Sequence, residues 1–275
     1  MHLVIVPLRF VILGGLILVL ASTSALVTRK EQPHMALDIV ATVPADADMI
    51  DCAGGFEAIA GRGCLAFSGV PGPLVIYLHG LYQHGVPYEE HEEMNRQTML
   101  AKHAKAHGFT VLALRGRMGA CSAAEYKRYI CWPSNERTQD AGADVVREWA
   151  TPLRIAEERS GHGKRYVLGF SNGGFFAGLI AMQALLPFDA IAIAHAGTVE
   201  PFRPVGAKPP LLLLYADDDS SREGMIHFDE VLTREAWPHE AYVRAAGGHS
   251  LPEADVNAAL TFFERIESGT GVHEN

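Results

Sequence analysis

Tyr166-Val167-Leu168-Gly169-Phe170-Ser171-Asn172-Gly173-Gly174-Phe175 decides how this chain is read. A short apolar run (Tyr166 to Leu168) meets G-x-S-x-G, and the small-residue stretch Gly174, Ala177, Gly178 and Ala181 follows. The first part suits a strand buried on both faces, and the last a helix packed close to a sheet. Between them a sharp turn would present the hydroxyl of Ser171, with a glycine on either side where a side chain would collide with the neighbouring strand or helix. The helix dipole would point its positive end at that hydroxyl.

The flanking sequence keeps the same rhythm. Leu74–Leu78, Thr110–Leu114, Ala190–Ala194, Leu211–Tyr215 and Ala241–Val243 are further short apolar runs without alternation. Segments of helical character lie between the runs at about 89–107, 136–158, 172–186, 222–236 and 252–267. Strand and helix alternating in this way predicts an α/β fold, a doubly wound, mostly parallel sheet with helices on both faces. The stretch from 28 to 72 reads as an amino-terminal extension with a hairpin at the sheet edge, 73–267 as the core, and 268–275 as a tail.

Ligands in such sheets sit at the carboxyl ends of the strands. The Leu211 run ends in Ala216-Asp217-Asp218-Asp219, which delivers a carboxylate there, and Gly247-Gly248-His249-Ser250 follows the run at 241–243. Serine, acid and histidine then occur in the chain order expected of a nucleophile, the group that orients its base, and the base itself. His79-Gly80 closes the first core run; His79 reads as a brace for its loop, while His195-Ala196-Gly197 fits a rim position or a plain turn equally. His84, His91, His103 and His107 read as surface residues, and Glu89-Glu90-His91-Glu92-Glu93 as the solvated start of a helix.

With these residues in place, the chain from about 73 to 267 resembles the α/β-hydrolases, and no large lid domain fits the roughly 15 residues between the strand ending near His195 and the one starting near Leu211. Gly-Phe-Ser-Asn-Gly-Gly-Phe, with Cys131-Trp132 ahead of an acidic helix, is further similar to the secreted polyhydroxybutyrate depolymerase and feruloyl esterase branch. The resemblance implies a serine hydrolase acting on carboxylic esters, with Ser171 as nucleophile and His249 as base. It places the oxyanion on the backbone amides of Leu81 and Asn172. Family members often show His-Gly-x-x-Asp at the relevant strand end, which selects Asp219 as the acid; sliding the register leaves Asp218 or Asp217. Trp132 would either wall the substrate pocket or pack beside a disulfide. A serine peptidase of the same fold and a non-catalytic binding module are the rival readings. No metal and no cofactor is needed by such chemistry, and the partner is a small-molecule or polymeric ester.

The chain has 275 residues, and its 23 Lys and Arg against 32 Asp and Glu give a formal charge of −9. Without a basic tract it carries no electrostatic footprint for nucleic acid. Phe10–Val27 is an uncharged apolar run of 18 residues, with the small residues Ala21-Ser22-Thr23-Ser24-Ala25 near its end. Residues 1–27 therefore read as a signal peptide or a membrane anchor, making this segment the only membrane contact and the rest an exported, secreted or periplasmic, chain. The four cysteines allow three pairings, of which proximity along the chain favours Cys52–Cys64 and Cys121–Cys131 in an oxidising compartment, and no C-x-x-C spacing suggests a metal site instead.

Overall fold

The apolar runs become strands because their side chains are buried on both faces of one sheet, except Ala241–Val243, which lies in the strand at the sheet's far edge with Tyr242 and Val243 exposed. The computed structural model describes residues 51–270 except 122, 123, 136, 137, 201 and 203; the signal or anchor segment at 1–27 lies outside them. In chain order the elements are β1 (Glu57–Ile59), β2 (Gly63–Ala66), β3 (Leu74–Leu78), β4 (Tyr82–Gln83), α1 (Pro87–Ala106), β5 (Thr110–Leu114), β6 (Arg117–Met118) and β7 (Tyr129–Cys131). There follow α2 (Gly142–Glu148), α3 (Ala150–Ser160), β8 (Arg165–Phe170), α4 (Asn172–Gln183), β9 (Ala190–Ala194), β10 (Leu211–Ala216), α5 (Arg222–Arg234), β11 (His239–Arg244) and α6 (Glu253–Glu267).

The main sheet has eight strands in the order β1-β2-β5-β3-β8-β9-β10-β11. β1 and β2 form the edge hairpin and pair antiparallel, as β2 does with β5; every other pairing is parallel. Alternate residues of each parallel strand point to opposite faces. Leu74, Ile76, Leu78, Val167, Ile193 and Leu213 share one core with α2, α3, α4 and α5. Val75, Tyr77, Tyr166, Leu168, Phe170 and Leu214 share the other with α1 and α6. This is the doubly wound arrangement expected, and no large lid interrupts it.

Two departures from expectation have local causes. The helix expected at 136–158 is two helices that break at Trp149, whose ring is buried against Trp132 and Phe176. Pro152, with no N–H to donate, fits only in a first turn, so a new helix starts at Ala150. A second sheet, β4-β7-β6, was not expected from the sequence; its strands are only two or three residues long. Both disulfides, Cys52–Cys64 and Cys121–Cys131, are present, the second stapling the loop that β6 and β7 frame. No helix among the described residues is long and apolar enough to cross a membrane.

The turn after β8 depends on missing side chains. A Cβ on Gly173 would lie 2.1 Å from the Leu78 carbonyl oxygen and 2.6 Å from that of His79. One on Gly169 would lie 2.5 Å from the Gly173 carbonyl oxygen. These are backbone atoms that cannot swing away. Gly173→Ala is expected to cost about 3 kcal/mol or more and to lower the thermal midpoint. Gly54→Ala, whose nearest neighbour would be 4.0 Å away, should leave the midpoint almost unchanged; equal midpoints for both variants would contradict the packing described.

Candidate active site

Ser171 sits between the end of β8 and the first residue of α4 with φ +52° and ψ −118°, a backbone conformation that side-chain-bearing residues rarely take. It is held there by its own N–H donating to the Ala194 carbonyl at 2.8 Å and by the Gly174 N–H donating to its carbonyl at 2.8 Å. The bend lifts the hydroxyl toward His249, and Ser171 Oγ lies 2.8 Å from His249 Nε2. On the other side of the ring, Nδ1 is 2.9 Å from Asp219 Oδ1. Three residues far apart in sequence are thus joined in a line.

A proton on Nδ1, donated to the carboxylate, leaves Nε2 free to accept from the serine hydroxyl. Asp219 is buried, and its two oxygens accept four hydrogen bonds. Oδ1 takes His249 Nδ1 and the Ser221 N–H, at 2.9 Å each; Oδ2 takes the Ser221 hydroxyl at 2.7 Å and His195 Nδ1 at 2.5 Å. Burial works to raise the carboxyl's pKa, but the bonds from Ser221, His249 and His195 outweigh it and hold the group down to about 2. The acid therefore stays ionised through the whole range in which a histidine can serve as base.

The three neighbouring aspartates divide the work. Asp219 meets the imidazole. Asp218 is exposed and accepts the Gly248 N–H at 2.7 Å and the Gly247 N–H at 3.2 Å, so it holds the backbone of the loop that carries His249. Those two N–H groups, that of Gly248 most, also keep the Asp218 carboxyl below its ordinary value. Asp217 is exposed and pairs at its rim with Arg222, Nε to Oδ1 at 3.4 Å.

Leu81, Ser171 and Asn172 line one cleft of about 440 Å³ together with Tyr126, Phe175 and Val199. Asn172, as the first residue of α4, carries an N–H with no acceptor one turn back. Its side chain has a second task that the sequence did not suggest. Oδ1 accepts the Trp132 N–H at 2.7 Å and Nδ2 donates to Ser134 Oγ at 2.6 Å, tying the segment after β7 to the serine bend. Cys121, Ser134 and Asn135 are also part of the cleft wall, so the stapled loop forms one side of it.

Trp132 is a correction. As a candidate for substrate binding it should reach the cleft, but its side chain is 0% exposed. The indole stacks on Phe176 at 5.5 Å between ring centres and donates Nε1–H to the His79 carbonyl at 2.9 Å. Its size is used to fill the core beneath the cleft rather than to line it.

His79 does brace its loop: Nδ1 donates to the Gly80 carbonyl at 2.6 Å and Nε2 accepts the Gly116 N–H at 2.8 Å. Burial dominates its titration and pushes the pKa down to about 3. A base kept neutral in the folded state contributes stability that is full above about pH 6.5 and is lost as pH falls toward 3. The advantage of wild type over His79→Gln in unfolding free energy, from urea titrations, should therefore shrink on going from pH 7 to pH 4, by at most about 1.4 kcal/mol per pH unit. An advantage independent of pH would contradict a buried neutral ring. Glu93, expected in solvent, is instead on the buried side of α1, 3.4 Å from the Tyr77 hydroxyl, and burial raises it to about 7.

His195 was expected at a rim or turn, yet it is wholly buried, with its two ring nitrogens facing Asp219 and Asp255. His195, Asp219 and His249 bring potential metal-ligand atoms within 4.8 Å of one another. Those atoms already serve the hydrogen bonds above, so a cation would have to break the line from Ser171 to Asp219 to bind.

No family model matches the chain, and no curated protein is similar to it in sequence. Solved structures share its fold. Esterase PE8 is 19% identical with a TM-score of 0.56, covering 74% of this chain and 98% of its own. A carboxylesterase from Mesorhizobium loti is 17% identical with a TM-score of 0.55, over 76% and 99% of the two chains. MGS-M1, an α/β hydrolase enzyme from a Medee basin deep-sea metagenome library, is 13% identical with a TM-score of 0.52, over 78% and 96%. The chain has the α/β-hydrolase fold.

Proposed function

We propose that this chain hydrolyses carboxylic esters through an acyl-enzyme intermediate on Ser171. The observation that carries the reading is the line of hydrogen bonds from Ser171 Oγ through both nitrogens of His249 to Asp219, set on a strand-to-helix bend.

Ser171 Oγ attacks the ester carbonyl carbon as its proton passes to His249 Nε2. The carbonyl oxygen takes up negative charge and is met by the backbone N–H groups of Leu81 and Asn172; losing one such donor typically costs about 10²–10³ in turnover. Collapse breaks the bond to the alcohol oxygen, and His249 returns its proton to that leaving group. A water molecule then gives a proton to His249 and its hydroxyl to the acyl carbon; the bond to Ser171 Oγ breaks, His249 returns the proton to that oxygen, and the acid is released. Asp219 stays ionised throughout, fixing the imidazole tautomer and stabilising its cation.

The cleft is open, and the stretch stapled by Cys121–Cys131 gives Cys121 and Tyr126 to its wall, which suits bulky or polymeric esters as well as small ones. The likeness to the polyhydroxybutyrate depolymerase and feruloyl esterase branch favours the same class. Two disulfides support export to an oxidising compartment, with residues 1–27 as leader or anchor. A serine peptidase would use the same groups, but the solved structures of similar fold include esterases.

A panel of p-nitrophenyl esters beside peptide anilides, run on wild type and Ser171→Ala in parallel, tests the reading. Ester cleavage by wild type alone supports it. Faster cleavage of anilides would favour the peptidase, and no turnover of either by a folded protein would favour a binding module.

A further inference from the structure

Asp219 has a second histidine. His195 directly follows β9 with φ +54°, a strained value for a residue with a side chain. Its Nδ1 lies 2.5 Å from Asp219 Oδ2 and its Nε2 lies 2.8 Å from Asp255 Oδ2. Two hydrogen bonds need two protons, and ionised carboxylates bring none, whereas a neutral imidazole brings one. The cluster therefore holds one proton more than a neutral histidine supplies.

The surroundings favour placing that proton on the ring. Asp255 lies in the first turn of α6, where the helix dipole favours a carboxylate. Its other oxygen accepts Arg244 Nε at 2.7 Å. Counting His195 as a cation, the buried Asp219, His195 and Asp255 together with the half-buried Arg244 carry two charges of each sign. The remaining groups against the ring are the aromatic rings of Phe170 and His249, each 5.9 Å away, and Arg244 Nη2, 3.4 Å from Nε2. Arg244 also donates Nη1–H to the Ala246 carbonyl at 2.6 Å, inside the loop that ends in His249. One charged network thus grips both the acid and the loop that carries the base.

A buried ionic network costs desolvation and is weak evidence for stability alone. Here every member touches the acid or leads to the base. Resting on the reading of Ser171, His249 and Asp219 as the reacting groups, we propose that His195 is a positioning residue, a doubly protonated imidazolium clamped between Asp219 and Asp255 that fixes the acid and ties it to the Arg244 anchor of the His249 loop. It touches no substrate. Its effect falls on the chemical step, through the placement of Asp219, and not on substrate binding.

Two measurements test this on the full chain. In protein labelled with nitrogen-15 in its histidine rings, both nitrogens of His195 should give the protonated signature at pH 7.5. The signals are identified by their loss in His195→Gln or, should that variant not fold, by their displacement in Asp255→Asn. A neutral tautomer would overturn the clamp. In kinetics, His195→Gln is expected to lower kcat about 10–100-fold with KM little changed. Asp255→Asn should cost less in the His195→Gln background than in wild type, since the part of its influence that runs through that ring is already gone and only its hold on Arg244 remains. An unchanged kcat in folded His195→Gln, or a loss confined to KM, would overturn the positioning role. The spectrum is recorded without substrate, so it decides the clamp separately from the triad: turnover surviving in Ser171→Ala would overturn the triad and leave the ring signals to decide the clamp.

Discussion

Ser171→Ala is expected to lower kcat for ester hydrolysis by about 10⁴- to 10⁶-fold while leaving the thermal midpoint nearly unchanged. The size of the loss follows from the geometry. The hydroxyl is the only serine oxygen hydrogen-bonded to His249 Nε2 among the described residues, so removing it leaves a base with nothing to activate except water. The structure around it should survive, because the bend is held by backbone bonds to Ala194 and from Gly174 rather than by the side chain. Alanine at 171 keeps the Cβ and relieves none of the positive φ. Substrate should still bind, so KM stays close to wild type while turnover vanishes. Turnover within tenfold of wild type would mean that the hydroxyl is not the attacking group.

Asp219→Asn is expected to cost about 10³–10⁴ in kcat, and Asp218→Asn far less. Asp219 accepts four hydrogen bonds, from Ser221 twice, His249 and His195. An amide can accept on one oxygen only, so at least one partner would face an N–H instead of a lone pair. If that partner is His249, the ring turns to the tautomer with Nε2 protonated and can no longer accept from Ser171. Asp218 only holds the Gly247 and Gly248 amides, and an asparagine oxygen can still take one of them. Because the wild-type carboxyl at 219 is held at about 2, kcat/KM above pH 4 should show no limb that disappears in Asp219→Asn. Equal losses in the two variants would contradict the division of roles.

Much of the architecture was legible because it is written in burial. Runs such as Leu74–Leu78 and Ala190–Ala194 lack alternation because both faces are covered, and the helices between them follow from chain length. The glycines flanking Ser171 carried their reason openly, as positions with no room for a Cβ. What stayed hidden was set by contacts between distant segments. β4, β6 and β7 are too short to bear a pattern. The break at Trp149 was marked only by Pro152, three residues beyond it.

Among the site residues, strand geometry delivered three adjacent carboxylates and could not choose between them. The choice depends on which one turns back under cover, and Ser221, two residues after Asp219, was the available signal. A hydroxyl there can donate to a buried carboxylate together with its own N–H. His195 looked like a rim or turn residue because its partner Asp255 lies 60 residues away at an ordinary acidic helix start. Trp132 misled for the opposite reason: a large aromatic beside a disulfide suits a pocket wall and a core alike, and only the distant Phe176 and Trp149 settle it as core.

Covalent labelling reaches the central claim, that His249 makes the hydroxyl of Ser171 nucleophilic, without needing the natural substrate. Wild-type protein and His249→Ala would be treated with a fluorophosphonate and the adduct located by peptide mass mapping. The expected result is one adduct, on Ser171, formed quickly in wild type and slowly in the variant. A folded wild-type protein that stays unlabelled, or an adduct on another residue, would contradict the account.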